Sequence, residues 1–73
     1  MSYKVVSGFW ATEYNAKKQL KKIPKIFSKP HIQYAKNGTW AVVAGIYDRK
    51  DWADAAVHKL LEAGLYGGIW LES

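Results

Sequence analysis

Tyr3, Val5 and Ser7 alternate with Lys4 and Val6, the period of two that marks a strand, and the following Gly8 predicts a bulge where that strand ends. A strand over about residues 3–10 is expected. From Thr12, whose hydroxyl suits an N-cap, Ala16, Leu20, Ile23 and Phe27 recur at spacings of four, three and four. They make one helical stripe, with Lys17, Lys18, Lys21, Lys22 and Lys25 lying away from it. Pro24 falls inside the stripe, where it removes a donor and crowds the preceding turn, so the helix should kink or end early, with an irregular tail to Pro30. His31 to Lys36 has strand character. Asn37-Gly38, both tolerant of positive φ, predicts a two-residue turn into a third strand over Thr39–Tyr47. Asp48 can cap a second helix with Ala53, Ala56, Val57, Leu60 and Leu61 on its buried side, and Gly64 supplies a left-handed stop. Tyr66 to Glu72 is the expected last strand.

The two halves share this pattern. Tyr3-Lys4-Val5-Val6-Ser7-Gly8-Phe9-Trp10 aligns without a gap on Trp40-Ala41-Val42-Val43-Ala44-Gly45-Ile46-Tyr47, at an offset of 37 residues. Leu20 then falls on Val57, Ile23 on Leu60 and Ile32 on Ile69, so each half is a βαβ unit and the repeat spans residues 3–36 and 40–73. The expected fold is α+β: a βαββαβ split βαβ, ferredoxin-like sandwich, one four-stranded sheet with both helices on one face. Strand parity points Tyr3, Val5, Ser7, Ile32, Tyr34, Trp40, Val42, Ala44, Ile69 and Leu71 at the helices. The other face receives Lys4, Val6, His31, Gln33, Ala41, Val43 and Trp70, with Phe9 and Ile46 added where the glycines shift the register. No further sequence is left to cover it, so Val6, Phe9, Val43, Ile46 and Trp70 are expected to form an exposed apolar patch.

At 73 residues the chain has room for one domain, residues 1–73, and a chain of this length buries only roughly 60% of its unfolded surface. With 49% hydrophobic residues it can still pack one two-layer core. Cysteine is absent, excluding disulfides and thiolate metal sites, and no apolar run is long enough to insert in a membrane. The start enters a strand with no signal-peptide pattern, so export is expected to depend on something outside this chain. The net charge of +5 is uneven: residues 1–37 hold eight lysines against Glu13, and residues 38–73 hold three bases against five acids. Lys17, Lys18, Lys21, Lys22 and Lys25 are either a solvated helix face or a surface for an anionic partner such as teichoic acid, nucleic acid or lipid headgroups.

The tandem Tyr-x-Val-x-x-Gly-x-aromatic and aromatic-x-Val-x-x-Gly-x-aromatic motifs, each leading into a helix that begins near Asn15-Ala16 or Trp52-Ala53, resemble the SPOR domain. The likeness runs from Tyr3 to Ser73. The stretch Lys50-Asp51-Trp52-Ala53-Asp54, with Ala63-Gly64 and Ile69-Trp70-Leu71-Glu72-Ser73, resembles the C-terminal SPOR repeats of Bacillus-type N-acetylmuramoyl-L-alanine amidases and of phage endolysins. That resemblance implies a non-catalytic module, acting outside the cell on the bacterial wall. It would bind peptidoglycan glycan strands stripped of stem peptides and hold a linked amidase domain at its substrate. It also implies a glycan site on the open face: Lys4, Val6, Phe9, His31, Gln33, Ala41, Val43, Ile46 and Trp70. Family members typically carry Gln at the position of Val6, Ser at that of Phe9 and Arg at that of Ala41. All three are apolar here, which shifts recognition from hydrogen bonding to sugar hydroxyls towards stacking on C–H faces by Phe9 and Trp70.

Catalysis finds no support, and no cofactor is called for. His31 and His58 cannot be placed in a Ser-His-Asp arrangement, His58 and Glu62 offer two metal ligands without a third, and Asp48, Asp51 and Asp54 suit a helix start. Two other functions stay open. The apolar face could pair with a second copy in a homodimer or pack on a neighbouring domain. Aromatics on a sheet could instead stack on nucleic-acid bases, but the third strand, Thr39-Trp40-Ala41-Val42-Val43-Ala44, lacks the basic residue, glycines and aromatics of RNA-recognition motifs, so no nucleic-acid partner is expected.

Overall fold

The computed structural model describes residues 2–71. Its elements follow in the order β1 (Tyr3–Trp10), α1 (Glu13–Leu20), β2 (His31–Tyr34), β3 (Trp40–Tyr47), α2 (Lys50–Glu62) and β4 (Gly68–Trp70). β3, α2 and β4 each begin 37 residues after β1, α1 and β2. One sheet of order β2-β3-β1-β4 results, with every neighbouring pair antiparallel. The central pair runs from Tyr3 opposite Tyr47 to Trp10 opposite Trp40, and Val6 faces its own repeat equivalent, Val43. Register shifts on either side of Val6, together with Gly8 at φ 101°, carry out the expected bulge.

Local chemistry sets the helix limits. Thr12 is extended, and its hydroxyl accepts from the Asn15 N–H at 3.2 Å, capping α1. The helix ends early rather than kinking, and Lys22 and Ile23 close a tightened turn on the Gln19 and Leu20 carbonyls just before Pro24. In α2 the cap position belongs to Arg49, not to Asp48 as expected. Arg49 is extended and makes no side-chain cap bond; its guanidinium instead forks onto the Asp51 carboxylate at 3.1 and 2.9 Å. Gly64, at φ 78°, ends the helix as expected: its N–H bonds Leu61 and the Leu65 N–H bonds Leu60, each at 3.0 Å.

Two boundaries differ from the sequence reading. The β2–β3 turn spans five residues, with Ala35 and Thr39 bonded at 2.8 Å, and only Gly38 takes a positive φ. Asn37 acts through its side chain instead, accepting from the Thr39 N–H and hydroxyl. β4 is three residues long, and just before it Gly67 runs against α2, where a Cβ would lie 2.9 Å from the Val57 carbonyl oxygen. Glu72, the expected strand end, lies outside the described residues.

The main core lies between one sheet face and the helices: Val5, Val42 and Ala44 meet Ala16, Ile23, Phe27, Ala53, Ala56 and Leu60. Ser7 points into this layer, and its Oγ accepts from Gln19 Nε2 at 2.9 Å, both residues buried. Leu61, expected on the buried side, faces solvent. So do Tyr34 and Leu71, expected to face the helices. Both sit at the outer ends of edge segments, and Tyr34 packs edge-on against Trp40, ring centres 4.8 Å apart, instead of reaching the core.

Candidate functional site

The sheet face away from the helices carries its own small cluster, Val6, Ala41 and Val43, with Trp70 packed against it. Pairing lays the face out in rows. Trp70, Lys4 and Ile46 stand abreast across β4, β1 and β3; Val6, Val43 and His31 form the middle row; Phe9, Ala41 and Gln33 form the third. The repeat offset exchanges the outer rows, Trp70 with Gln33, Lys4 with Ala41 and Ile46 with Phe9, while Val6 and Val43 exchange with each other. A pseudo-twofold arrangement therefore centres on the Val6–Val43 pair.

The large side chains then lean over that centre. Phe9 and Trp70 meet edge to face, with ring centres 5.4 Å apart and planes at 82°. Lys4 Nζ lies 4.7 Å from the Trp70 ring centre and donates to Gln33 Oε1 at 3.1 Å, so its stem spans from the β4 side to the far edge strand. This accounts for a correction to the expected exposed patch. Val6, Ala41 and Val43 are at most 1% exposed, because short side chains on central strands are roofed by the long ones beside them. They are the floor of the face and cannot touch a ligand. Phe9 and Ile46 are exposed, Trp70 partly so, and Lys4 and Gln33 partly buried.

Of the expected glycan residues, the structure brings together Phe9, Trp70 and Gln33 on a groove of about 410 Å³. Tyr34, Leu71 and the Ala35–Asn37 turn complete its walls. Sequence parity missed Tyr34 and Leu71 together, and they are repeat equivalents of each other, so one error was made twice. His31 and Ile46 lie elsewhere, with Ser28 and Lys29 on a second groove of about 350 Å³ at the other end of the face, where His31 Nδ1 is 3.3 Å from the Lys29 carbonyl oxygen. Lys17, Lys18, Lys21, Lys22 and Lys25 are exposed on α1 and the segment after it, in the helix layer. Trp10 packs against the main core and donates from Nε1 to the Ser7 carbonyl at 3.3 Å. Trp52 is exposed on α2 with the Arg49 guanidinium 5.1 Å from its ring centre.

Chemically, the Phe9–Trp70 end offers aromatic surface set at right angles, flanked by an ammonium and an amide. That combination suits a ligand with flat C–H faces and oxygen acceptors. Among the described residues no three His, Asp or Glu side chains gather to hold a metal ion, and no helix is long and apolar enough to cross a membrane.

No family model matches the chain, and no curated protein matches it significantly. Among solved structures it is similar to the solution structure of the peptidoglycan binding domain of the B. subtilis cell wall lytic enzyme CwlC. The TM-score is 0.83 at 26% identity, over 99% of this chain and 90% of that one.

Proposed function

We propose that this chain is a non-catalytic module that binds the glycan strands of bacterial peptidoglycan through the open sheet face and holds a linked wall hydrolase, of the amidase kind, against its substrate. The observation that carries this reading is the likeness, along nearly the whole chain, to a domain described as peptidoglycan binding. The residues supply a means. A pyranose ring laid on Phe9 or Trp70 stacks its C–H face, while Gln33 and Lys4 stand beside that pair to meet hydroxyl or carbonyl oxygens. Tethering then raises the effective concentration of the hydrolase at the wall without new chemistry. A self-pairing face fits less well, since its centre is a buried floor and its exposed apolar groups are split, Phe9 with Tyr34 and Leu71 at one end and Ile46 at the other.

The test is retention on purified Bacillus-type walls freed of teichoic acid, at high salt, before and after amidase treatment. Retention should rise as stem peptides are cut away. Phe9→Ala, at an exposed position, should weaken it by about tenfold or more, as loss of an aromatic anchor does. Equal retention of Phe9→Ala and parent would remove the face from the reading, and no retention by either would remove the reading itself.

A further inference from the structure

The duplication supplies an internal control for the basic helix. Lys17, Lys18, Lys21, Lys22 and Lys25 are all exposed, and the positions 37 residues on hold Asp54, Ala55, His58, Lys59 and Glu62. One place in the fold thus carries five positive charges in the first half and a net single negative charge in the second. The fold does not require the lysines. Solubility does not explain them either, because α2 meets water with its charges matched, Lys50 on Asp54 at 3.2 Å and Arg49 on Asp51 at 2.9 Å. On α1 only Lys17 has an acidic partner among the described residues, Glu13 at 3.8 Å, in an exposed pair of little strength. The helix dipole favours cations within the last turn, yet the run continues to Lys25, beyond the end of the helix at Leu20.

We infer that the lysine-rich end of α1 and the segment after it form a second contact site, for a phosphodiester polymer of the wall of the teichoic acid type, in the layer opposite the glycan face. The polymer's location rests on the wall-binding reading; its charge rests on the lysines. A polyol-phosphate chain offers repeated anions with nothing to stack, which matches α1, whose one aromatic, Tyr14, already carries Lys18 Nζ 5.4 Å from its ring centre. Single-stranded nucleic-acid sites set bare rings beside the charge, and membrane-surface helices carry a continuous apolar face; the exposed positions of α1, residues 13–15, 17 and 18, have none, and Ile26 beside Lys25 is a single exposed aliphatic side chain. The molecule is 17 Å across its thinnest dimension, so the two polymers would lie on either side of one thin domain and hold it jointly.

The experiment titrates the 73-residue chain with isolated poly(glycerol phosphate) teichoic acid, duplex DNA and phosphatidylglycerol vesicles, with Lys21→Gln/Lys22→Gln/Lys25→Gln beside the parent and Lys59→Gln as control. Three phosphate contacts at a logarithmic slope of about 0.7 each predict an affinity for teichoic acid that falls about twentyfold between about 50 and 200 mM salt. The triple variant should lose about tenfold or more at low salt, Lys59→Gln nothing, and retention on teichoic-acid-free walls should not change. Equal affinity of triple variant and parent overturns the proposal, as does tighter binding of DNA or vesicles than of teichoic acid at the same salt. Failure of the glycan reading appears separately, as loss of the parent from teichoic-acid-free walls while the salt-dependent binding persists.

Discussion

Ser7 and Gln19 form the one buried pair of polar side chains among the described residues, a 2.9 Å bond tying β1 to α1, with Ser7 0% and Gln19 7% exposed. The second half fills the same two places with Ala44 and Ala56, so the fold has an apolar answer to the same packing problem. Ser7→Ala should therefore be costly not for the bond it removes but for the Gln19 amide it strands away from water, about 2 kcal/mol. A chain of 73 residues is held by roughly 4–11 kcal/mol in all, at about 0.05–0.15 kcal/mol per residue, so the loss corresponds to roughly 8–16 °C in Tm. Adding Gln19→Met removes the stranded amide at nearly constant volume and should bring the double variant back to within about 1 kcal/mol of the parent. Urea unfolding followed by tryptophan fluorescence measures all four corners of the cycle, and an unchanged slope certifies that stability alone has moved. If Ser7→Ala costs under about 0.5 kcal/mol, or the double variant is no better than Ser7→Ala, the stranded-donor argument fails.

Val43→Asp, which on an exposed patch would only disturb association, should instead lower Tm by many degrees, because Val43 is 0% exposed and a carboxylate there is taken out of water beneath the Lys4 side chain; thermal circular dichroism of the purified variant decides it. Ile46→Asp, at an exposed position on the same face, should leave Tm within a few degrees, and its sedimentation coefficient tests whether that face self-associates. Gly67→Ala should push β4 away from α2, since its Cβ would stand 2.9 Å from the Val57 carbonyl oxygen; wall retention should fall with Trp70 displaced, even at temperatures where the chain stays folded. Gly64→Ala meets no atom within 4 Å yet forces an L-residue to φ 78°, and should cost about 1 kcal/mol in urea unfolding with wall retention unchanged.

Sequence reasoning reached what depends on neighbours in the chain. The Thr12 cap, the early end of α1 before Pro24, the bulge at Gly8 and the Gly64 stop each follow from the conformational limits of one residue or its immediate contacts. Strand parity likewise assigned the central strands correctly, placing Val5 and Val42 against the helices and Val6 and Val43 on the other face. Failures came where a side chain's fate is set by residues distant in sequence. Parity says which face Val43 occupies and nothing about Lys4 reaching over it towards Gln33, a contact 29 residues apart along the chain. Tyr34 and Leu71 have the parity of core residues, but they stand on edge segments beyond the helices' cover. The cap of α2 is Arg49 rather than Asp48, since the helix starts one residue later than a cap preference ranking isolated side chains would put it, and the Arg49 guanidinium bonds Asp51 instead of the helix end.

The rows of the open face show how a duplicated unit can acquire a one-sided site. Two copies of a βαβ unit joined in this sheet order start with equivalent outer rows, and the floor has kept that equivalence, with Val6 against Val43. The outer rows have not. Where one carries Trp70 and Lys4 the other carries Gln33 and Ala41, and the small Ala41 is what leaves the Lys4 side chain room to cross to Gln33. Aromatic surface is pooled in the same way, since Trp70 leans out of its own row to meet Phe9. A strand of sugars has a direction, and a symmetric face would bind it equally well either way round. Divergence of the outer rows over a shared floor gives the face a direction of its own, which the proposed glycan reading requires if the two ends of the strand are to be told apart.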